Sequence, residues 1–299
     1  MSKHIFWIAS YPKSGNTLMR ALISSLFFSN DGIFDFKMLQ SMPVIENVKN
    51  LNFMKNEHPE NFENIHKLEI ISKYWLEMQS KKNLGFEADF MFVKTHHALI
   101  KYFEHSFTTE KNTLGIIYIV RDPRDVAVSM CNHFNINTNE SVENITNDNF
   151  CIRWTDPNNL FINKKKPLSF LSSWQKHYFS WSDHSFNCPK LIIKYEDMVY
   201  KKEKVINTLI NFFKDNFNFN FLNLEKKIPN MLNSTSFNSL KAKEVRSGFI
   251  EAAENAKNNF FNIGKKDQWQ EKLSKEQAYL IEKNFFSSLK KNNYETKYF

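Results

Sequence analysis

Within its first thirty residues the chain passes from an apolar run, through a tight turn, into a helical repeat: a strand, a loop and a helix in that order. His4 to Ala9 is short, apolar and aromatic-rich, the pattern of a buried strand. From Thr17 to Phe28, the residues Leu18, Ala21, Leu22, Ser25 and Leu26 recur at helical spacing. Between them lies Tyr11-Pro12-Lys13-Ser14-Gly15-Asn16-Thr17. A helix N-terminus presents unpaired N–H groups and a partial positive charge, so it holds anions. Lys13 adds a full charge, Ser14 and Thr17 add hydroxyl donors, and Gly15 lets the backbone approach a ligand closely. The loop is of a phosphate-binding type, yet it is not the Walker A pattern GxxxxGK[ST], because Lys13 precedes its only glycine. No convincing Mg²⁺-binding carboxylate follows a later strand, which disfavours a nucleoside triphosphate kinase. Taken alone, the segment could also be an incidental Pro-Lys-Ser-Gly turn.

Further strands are expected at Phe90 to Val93, Leu114 to Val120 and Leu191 to Ile193. Helices are expected from about Phe62 to Gln79, from Pro123, from Leu168 to Phe186, after Tyr195-Glu196-Asp197 to about Phe213, and from Ser274 to about Lys290. Residues 30 to 60 show no period, and Pro43 and Pro59 interrupt them; Asn135 to Lys166 is polar and reads as an excursion or lid. Alternating strands and helices imply an α/β fold, a central parallel sheet flanked by helices. The 299 residues then form a single domain, with loop excursions near 30–60 and 134–166. Ligands of such sheets sit at the carboxyl ends of the strands.

The formal net charge is +8, which suits an anionic ligand but equally reflects lysines scattered for solubility. Three cysteines, Cys131, Cys151 and Cys188, form no CxxC pair and no metal-ligand spacing, and the histidines show no HExxH pattern, so no metal is assigned. Free thiols in a reducing compartment follow from that usage. No run is long and apolar enough to span a membrane, and the N-terminal apolar run lacks the length of a signal-peptide core. A cytoplasmic location is therefore expected.

Two more segments come directly after predicted strands. In Arg121-Asp122-Pro123-Arg124-Asp125-Val126-Ala127-Val128-Ser129, Arg121 and Ser129 lie eight residues apart and could grip one phosphate. The alternative is a salt-bridged helix cap, with Asp122 and Asp125 paired to Arg121 and Arg124. In Lys94-Thr95-His96-His97, a histidine at a strand end can serve as general base, and Lys94, two residues before His96, points to the same side of an extended chain.

Together these motifs resemble the PAPS-dependent sulfotransferases of the cytosolic type also found in bacteria, where PAPS is 3′-phosphoadenosine 5′-phosphosulfate. The family's phosphosulfate loop reads Tyr-Pro-Lys-Ser-Gly-Thr-Thr-Trp, and here Asn16 and Leu18 replace a Thr and the Trp. Its 3′-phosphate motif has Arg and Ser at the spacing of Arg121 and Ser129, and its catalytic Lys-x-His is matched by Lys94-Thr95-His96. Tyr195-Glu196-Asp197-Met198 and Thr235-Ser236-Phe237 match segments that contact the adenosine half. The late Arg-Lys-Gly-x-x-Gly-x-Trp loop is only partly kept: Gly264 and Trp269 remain, but Asn262-Ile263 stands where cations are expected, with Lys265, Lys266 or Arg246 as substitutes. The short dimerisation motif after that Trp is not reproduced by Ser274-Lys275, so the oligomeric state is left open.

The resemblance implies a P-loop-like sulfotransferase fold and PAPS as co-substrate, released as 3′,5′-adenosine bisphosphate. It assigns Lys13, Ser14, Gly15, Asn16, Thr17, Leu18, Arg121, Ser129, Tyr195, Thr235, Phe237, Gly264 and Lys265 to cofactor binding. His96 is the expected general base, ahead of His97, with Lys13 and Lys94 stabilising charge. The acceptor would be a small molecule, lipid or saccharide bearing a hydroxyl or amine, held by loops at 30–60, 134–166 and 242–262, where Phe134, Trp154 and Phe161 could line a pocket. Two alternatives stay open: a catalytically silent binder of PAPS or adenosine bisphosphate, and a basic nucleic-acid binder. The second has no RNP, helix-turn-helix or zinc-finger signature and no basic run beyond Lys164-Lys165-Lys166.

Overall fold

The computed structural model describes residues 3–153, 167–249, 260–261 and 264–299. Four strands form one parallel sheet: β1 Ile5–Ser10, β2 Met91–Thr95, β3 Thr113–Val120 and β4 Lys190–Lys194, in the order β2-β1-β3-β4. The register pairs Ala9 with both Thr95 and Tyr118, and Val120 with Lys194. All four strands therefore end at one edge. The Tyr11–Gly15 loop, His96, Arg121 and Tyr195 each come just after a strand and meet at that edge.

The strands are buried on both faces, as a parallel sheet covered by helices requires. Along β1, Phe6 and Ile8 point into one core, while Ile5, Trp7 and Ala9 point into the other. On the first face pack α1 Asn16–Phe28 and α6 Lys202–Phe217, through Leu22, Ile23, Leu209 and Phe213. Many of the phenylalanines gather here; among Phe6, Phe27, Phe92, Phe213 and Phe219 the rings meet mostly edge-on or tilted, with Phe6 stacked on Phe92, at centroid distances of 4.8–6.4 Å. On the second face lie α4 Trp174–Ser182 and α9 Lys275–Lys291, through Trp174, Tyr178, Trp181, Ile281 and Phe285. Further helices are α2 Pro123–Phe134, α3 Thr138–Thr146, α5 Tyr195–Tyr200, α7 Leu224–Ser234 and α8 Phe237–Ser247, with shorter turns of helix between residues 52 and 84 and at Trp269–Lys272.

Several sequence expectations need correction. The helix expected from Phe62 to Gln79 is a chain of short turns, with Leu68–Ile71 and Trp75–Met78 the α-helical pieces. Lys67 is extended, and the Ile65 carbonyl accepts from Leu168 N at 3.2 Å instead of from its own helix. For the same reason Leu168–Phe170 is not helical: it pairs antiparallel with Cys151–Arg153, and α4 begins only at Trp174. The expected helix after β4 is interrupted at Lys201 and runs on to Phe217. The polar excursion contains α3, capped by the Asn137 side chain; residues 154–166, including Trp154, Phe161 and the Lys164–Lys166 run, lie outside the described residues.

Cys131, Cys151 and Cys188 are free thiols. Among the described residues no helix is long and apolar enough to cross a membrane.

Candidate active site

The loop after β1 turns sharply. Lys13 (φ 66°) and Gly15 (φ 95°) both adopt the left-handed region, and Gly15 is the N-cap of α1. Only a glycine fits at position 15: a Cβ there would lie 2.5 Å from Tyr195 Cδ2 and 3.0 Å from Met198 Cε. No side chain caps α1 and its first turn carries no acidic residue, so its partial positive charge is not neutralised locally. Ser14 is fully buried, yet its Oγ has no hydrogen-bond partner among the described residues; the same holds for Asn16 Oδ1. Buried polar atoms are normally satisfied, so orphans concentrated at a helix start point to an absent polar ligand. Thr17 is buried beside them and Leu18 is half-buried against the core.

Arg121 sits against this loop. Its Nη1 donates to the Lys13 carbonyl at 2.8 Å, its guanidinium lies 4.3 Å from the centre of the Tyr195 ring, and its Nε is buried without a partner. The salt-bridged-cap alternative is half right. Arg124 is the structural cation, bonded to both Asp122 and Glu282 at 2.5–2.6 Å, whereas Arg121 pairs with neither aspartate. Ser129 is half-buried two turns along α2. Asp125, between Arg121 and Ser129 in sequence, accepts from the backbone N–H of Asp267 (2.8 Å) and Trp269 (3.1 Å). Thus Asp125 ties the late loop to α2, a role the sequence did not reveal. Burial pushes its carboxyl up to about 6, against the pull of Arg121.

The two histidines after β2 separate clearly. His97 is 2% exposed, stacked on Phe107 at 4.3 Å and edge-on to Trp75 at 4.7 Å. Burial lowers its pKa to about 4, and its Nδ1 contacts the Ala98 carbonyl at 2.7 Å. It is a core residue. His96 instead places Nδ1 2.7 Å from the Ser10 carbonyl. Only a protonated Nδ1 can donate there, so Nε2 carries the basic lone pair. Ser10 Oγ lies 3.2 Å from the same nitrogen and accepts from Asn16 Nδ2 at 3.2 Å. One serine thus links the histidine to the first residue of α1. Lys94, on the same side of β2 as His96, is 8% exposed.

Around this edge stand residues the sequence did not single out. The His96 carbonyl accepts from His177 Nε2 at 3.0 Å, and the other nitrogen of that ring meets Tyr118 Oη at 2.9 Å. Burial holds the His177 pKa at about 3, so the ring is a neutral donor. A lone histidine in an aromatic helix carries no sequence signal for this.

Of the weaker expectations, Gly264 packs on the Phe237 ring so closely that a Cβ would lie 2.4 Å from it. Lys13 Nζ reaches 4.5 Å from the Phe260 ring, which brings the late segment beside the first loop. The Thr235 hydroxyl is fully buried and donates to the Met231 carbonyl at 2.6 Å, one turn back. Lys265 and Arg246 are exposed, and Lys266 pairs with Asp267 at 3.4 Å. Asn262 and Ile263 lie outside the described residues, as do residues 250–259 of the loop expected to bound the acceptor. No group of three or more His, Cys, Asp or Glu among the described residues could hold a metal ion.

The strand ends of this parallel α/β sheet thus gather an uncapped helix start, an arginine outside the structural ion pairs and an oriented histidine. The sulfotransferase domain family matches residues 3–293, and this chain belongs to it. A curated relative, luciferin sulfotransferase of Photinus pyralis, is 26% identical over 245 residues, 78% of this chain. The match spans 56% of that relative's length. Among solved structures, mouse sulfotransferase SULT7A1 complexed with PAP superposes with a TM-score of 0.57 at 19% identity, over 96% of this chain and 85% of that one. Retinol dehydratase in a complex with retinol and PAP gives 0.61 at 18% identity, over 97% and 82%. These structures share the fold.

Proposed function

We propose that this chain transfers the sulfuryl group of PAPS to the hydroxyl or amine of a small-molecule, lipid or saccharide acceptor. The observation that carries the reading is the meeting of His96, oriented by the Ser10 carbonyl, with a loop whose Ser14 Oγ and neighbouring Arg121 Nε are buried donors without partners. That relatives with this fold bind PAP, and one of them retinol, supports the same reading. Ser14, Gly15, Asn16, Thr17 and Leu18 would form the phosphosulfate loop at the start of α1. Arg121 and Ser129 would hold the 3′-phosphate; Tyr195, Phe237 and Gly264 would flank the adenine, with Thr235 beneath them as a buried support; and Lys265 would stand for the missing late arginine. The whole of residues 3–293 would act as one catalytic unit. The free thiols suit a reducing, cytoplasmic setting.

In the proposed reaction the acceptor oxygen forms a bond to sulfur while the bond from sulfur to the bridging phosphate oxygen breaks. His96 Nε2 takes the acceptor proton. Lys13 faces the charge that builds on the leaving oxygen, and Lys94 the sulfuryl oxygens. Each such electrostatic contact is worth ~10²–10³ in rate, and a positioned base ~10²–10⁴. A sulfuryl group carries less charge than a phosphoryl group, which is why lysines suffice without Mg²⁺.

The test is a thermal-shift titration with 3′,5′-adenosine bisphosphate, then a sulfate-transfer screen over phenols, alcohols, sterols, sugars and amines. His96→Ala should keep nucleotide binding and lose turnover by ~10²–10⁴. Near-normal turnover of His96→Ala at saturating PAPS would remove the base assignment. One observation favours a silent nucleotide binder as second reading: the late-loop lysines are exposed or paired within the loop. Nucleotide binding with no transfer to any acceptor would support it.

A further inference from the structure

Residues 43–46 lie in a stretch with no readable period, yet they are bonded along the whole Lys94–His97 segment. Lys94 N donates to the Pro43 carbonyl at 2.9 Å, and Ile45 N donates to the Lys94 carbonyl at 3.0 Å. Val44 thereby forms a parallel bridge at the open edge of β2. Beyond it, one oxygen of Glu46 collects three donors: Thr95 Oγ1 at 2.7 Å, His96 N at 2.7 Å and His97 N at 3.2 Å. Glu46 is 6% exposed and burial raises its pKa, with those donors and the charge of Lys94 opposing the rise. The segment is itself anchored, since Asn50 Nδ2 donates to the carbonyls of both Val44 and Ile45.

We infer that Glu46 is a positioning residue: it fixes the backbone of His96 and, with Pro43–Ile45, that of Lys94, so that both side chains meet the reacting group in one geometry. This rests on the sulfotransferase reading for its functional half. Burying a carboxyl is costly and is compensated only by well-made hydrogen bonds. Here a single carboxyl oxygen satisfies the His96 N–H just past the end of a strand, and shares the His97 N–H with Thr95 Oγ1, which accepts it at 2.9 Å and itself donates to the same carboxyl. His177 holds the opposite side of the same residue through its carbonyl. The His96 peptide is therefore bonded at both ends, and its ring nitrogen is held by Ser10 as a third point. Three anchors leave the imidazole little freedom, and displacement of a reacting group by about 1 Å can cost ~10²-fold in rate.

The experiment compares Glu46→Ala, Glu46→Asp and Glu46→Gln in the full chain. Hydrogen exchange of the His96 and His97 amides is read by NMR, alongside nucleotide affinity and steady-state kinetics. Glu46→Ala and the shortened Glu46→Asp should speed exchange of the His96 amide at least tenfold, and that of the His97 amide, which Thr95 Oγ1 also holds at 2.9 Å, by less, with the β1 and β3 amides unchanged. Both should lower kcat ~10²-fold while KM for PAPS stays within threefold. Glu46→Gln keeps an accepting oxygen and should restore both readings to within threefold of the parent. Unchanged amide exchange in Glu46→Asp and Glu46→Ala would overturn the clamp, as would a Glu46→Gln as impaired as Glu46→Ala. Altered exchange with kcat within twofold of the parent would overturn the positioning role. If Glu46→Ala does not fold, Glu46→Asp carries the comparison. A parent protein that binds nucleotide but turns over no acceptor refutes the sulfotransferase reading, while the amide exchange still decides the clamp.

Discussion

Replacing Gly15 by Ala should be among the most damaging single-methyl changes in this chain, and its cost divides into two parts. The first is backbone strain: an alanine held at φ 95° leaves the region that L-residues favour, at about 1–2 kcal/mol. The second is overlap. The new Cβ would meet Tyr195 Cδ2 at 2.5 Å, whereas ordinary contact begins near 3.4 Å, so the ring must retreat by about 0.9 Å. Tyr195 cannot retreat alone, because the Arg121 guanidinium is stacked on it at 4.3 Å and is also bonded to the Lys13 carbonyl. Overpacking of that kind costs roughly 1–3 kcal/mol.

Gly85 supplies the control. It has φ 70° and ends a short helix, yet a Cβ there would meet nothing within 4 Å. Gly85→Ala should therefore cost about 1–2 kcal/mol from strain alone, and Gly15→Ala about 2–5 kcal/mol. At roughly 2 °C per kcal/mol for a chain of this size, the two variants should differ visibly in a melting scan. They should differ more in nucleotide affinity, measured by calorimetry with 3′,5′-adenosine bisphosphate. Displacing a charged hydrogen-bonding group costs about 1.5–3 kcal/mol, or ~10–100-fold in Kd, for Gly15→Ala, and nothing for Gly85→Ala. If Gly15→Ala melts no lower than Gly85→Ala and binds the nucleotide within twofold of the parent, the contact between loop, Tyr195 and Arg121 is not what shapes the site.

Arg124 and Glu282 are buried at 3% and 0% side-chain exposure, and Glu282 also accepts from the backbone of Lys297, Tyr298 and Phe299. Removing one partner should cost about 3–5 kcal/mol, so Glu282→Gln should lower the urea midpoint sharply and expose the C-terminus to protease. Arg121→Ala should leave the unfolding free energy within about 1 kcal/mol of the parent while weakening adenosine bisphosphate binding at least tenfold, read by calorimetry. Asp125 predicts a pH term of definite sign. Its folded pKa, about 6, lies above the ordinary aspartate value of 3.8, so the native state binds the proton more tightly. That contribution is complete below about pH 4 and is lost as pH rises through 6, at up to ~1.4 kcal/mol per pH unit. Urea unfolding of Asp125→Asn between pH 4 and 7 should lack this downward component; an unchanged slope would refute it.

How much of the fold and site was legible in the sequence depends on where each interaction lives. The four strands were readable because both faces of a parallel sheet are buried and every residue of β1 is apolar or small. The Tyr11–Gly15 loop, Arg121 and Lys94-Thr95-His96 stood out because each lies at or just past a strand end, where local pattern and the proposed site coincide. The stretch from Phe62 to Gln79 misled because apolar residues at near-helical spacing are buried there by short turns, and the Ile65 carbonyl is taken by a partner about a hundred residues away. Arg121 and Arg124 were chemically indistinguishable in the chain; only Glu282, on the last helix, decides which is structural.

The same distinction explains why the supports around the proposed site were invisible while its proposed reactive groups were not. A reactive group must be a particular residue type at a particular strand end, and so it leaves a motif. A support needs only to present one oxygen or one N–H at the right place, and any loop that passes can supply it. Ser10 acts through its backbone carbonyl, Glu46 through one oxygen in an aperiodic stretch, His177 through a ring nitrogen on an aromatic helix, and Asp125 through a carboxylate that looked like half of an ion pair. Each was misread or passed over for one reason: the group it serves is distant in sequence or is backbone, which has no letter of its own. The parallel sheet makes these remote supports effective, because it sets Ala9, Thr95 and Tyr118 side by side, one or two residues before Ser10, His96 and Val120, before any side chain is chosen.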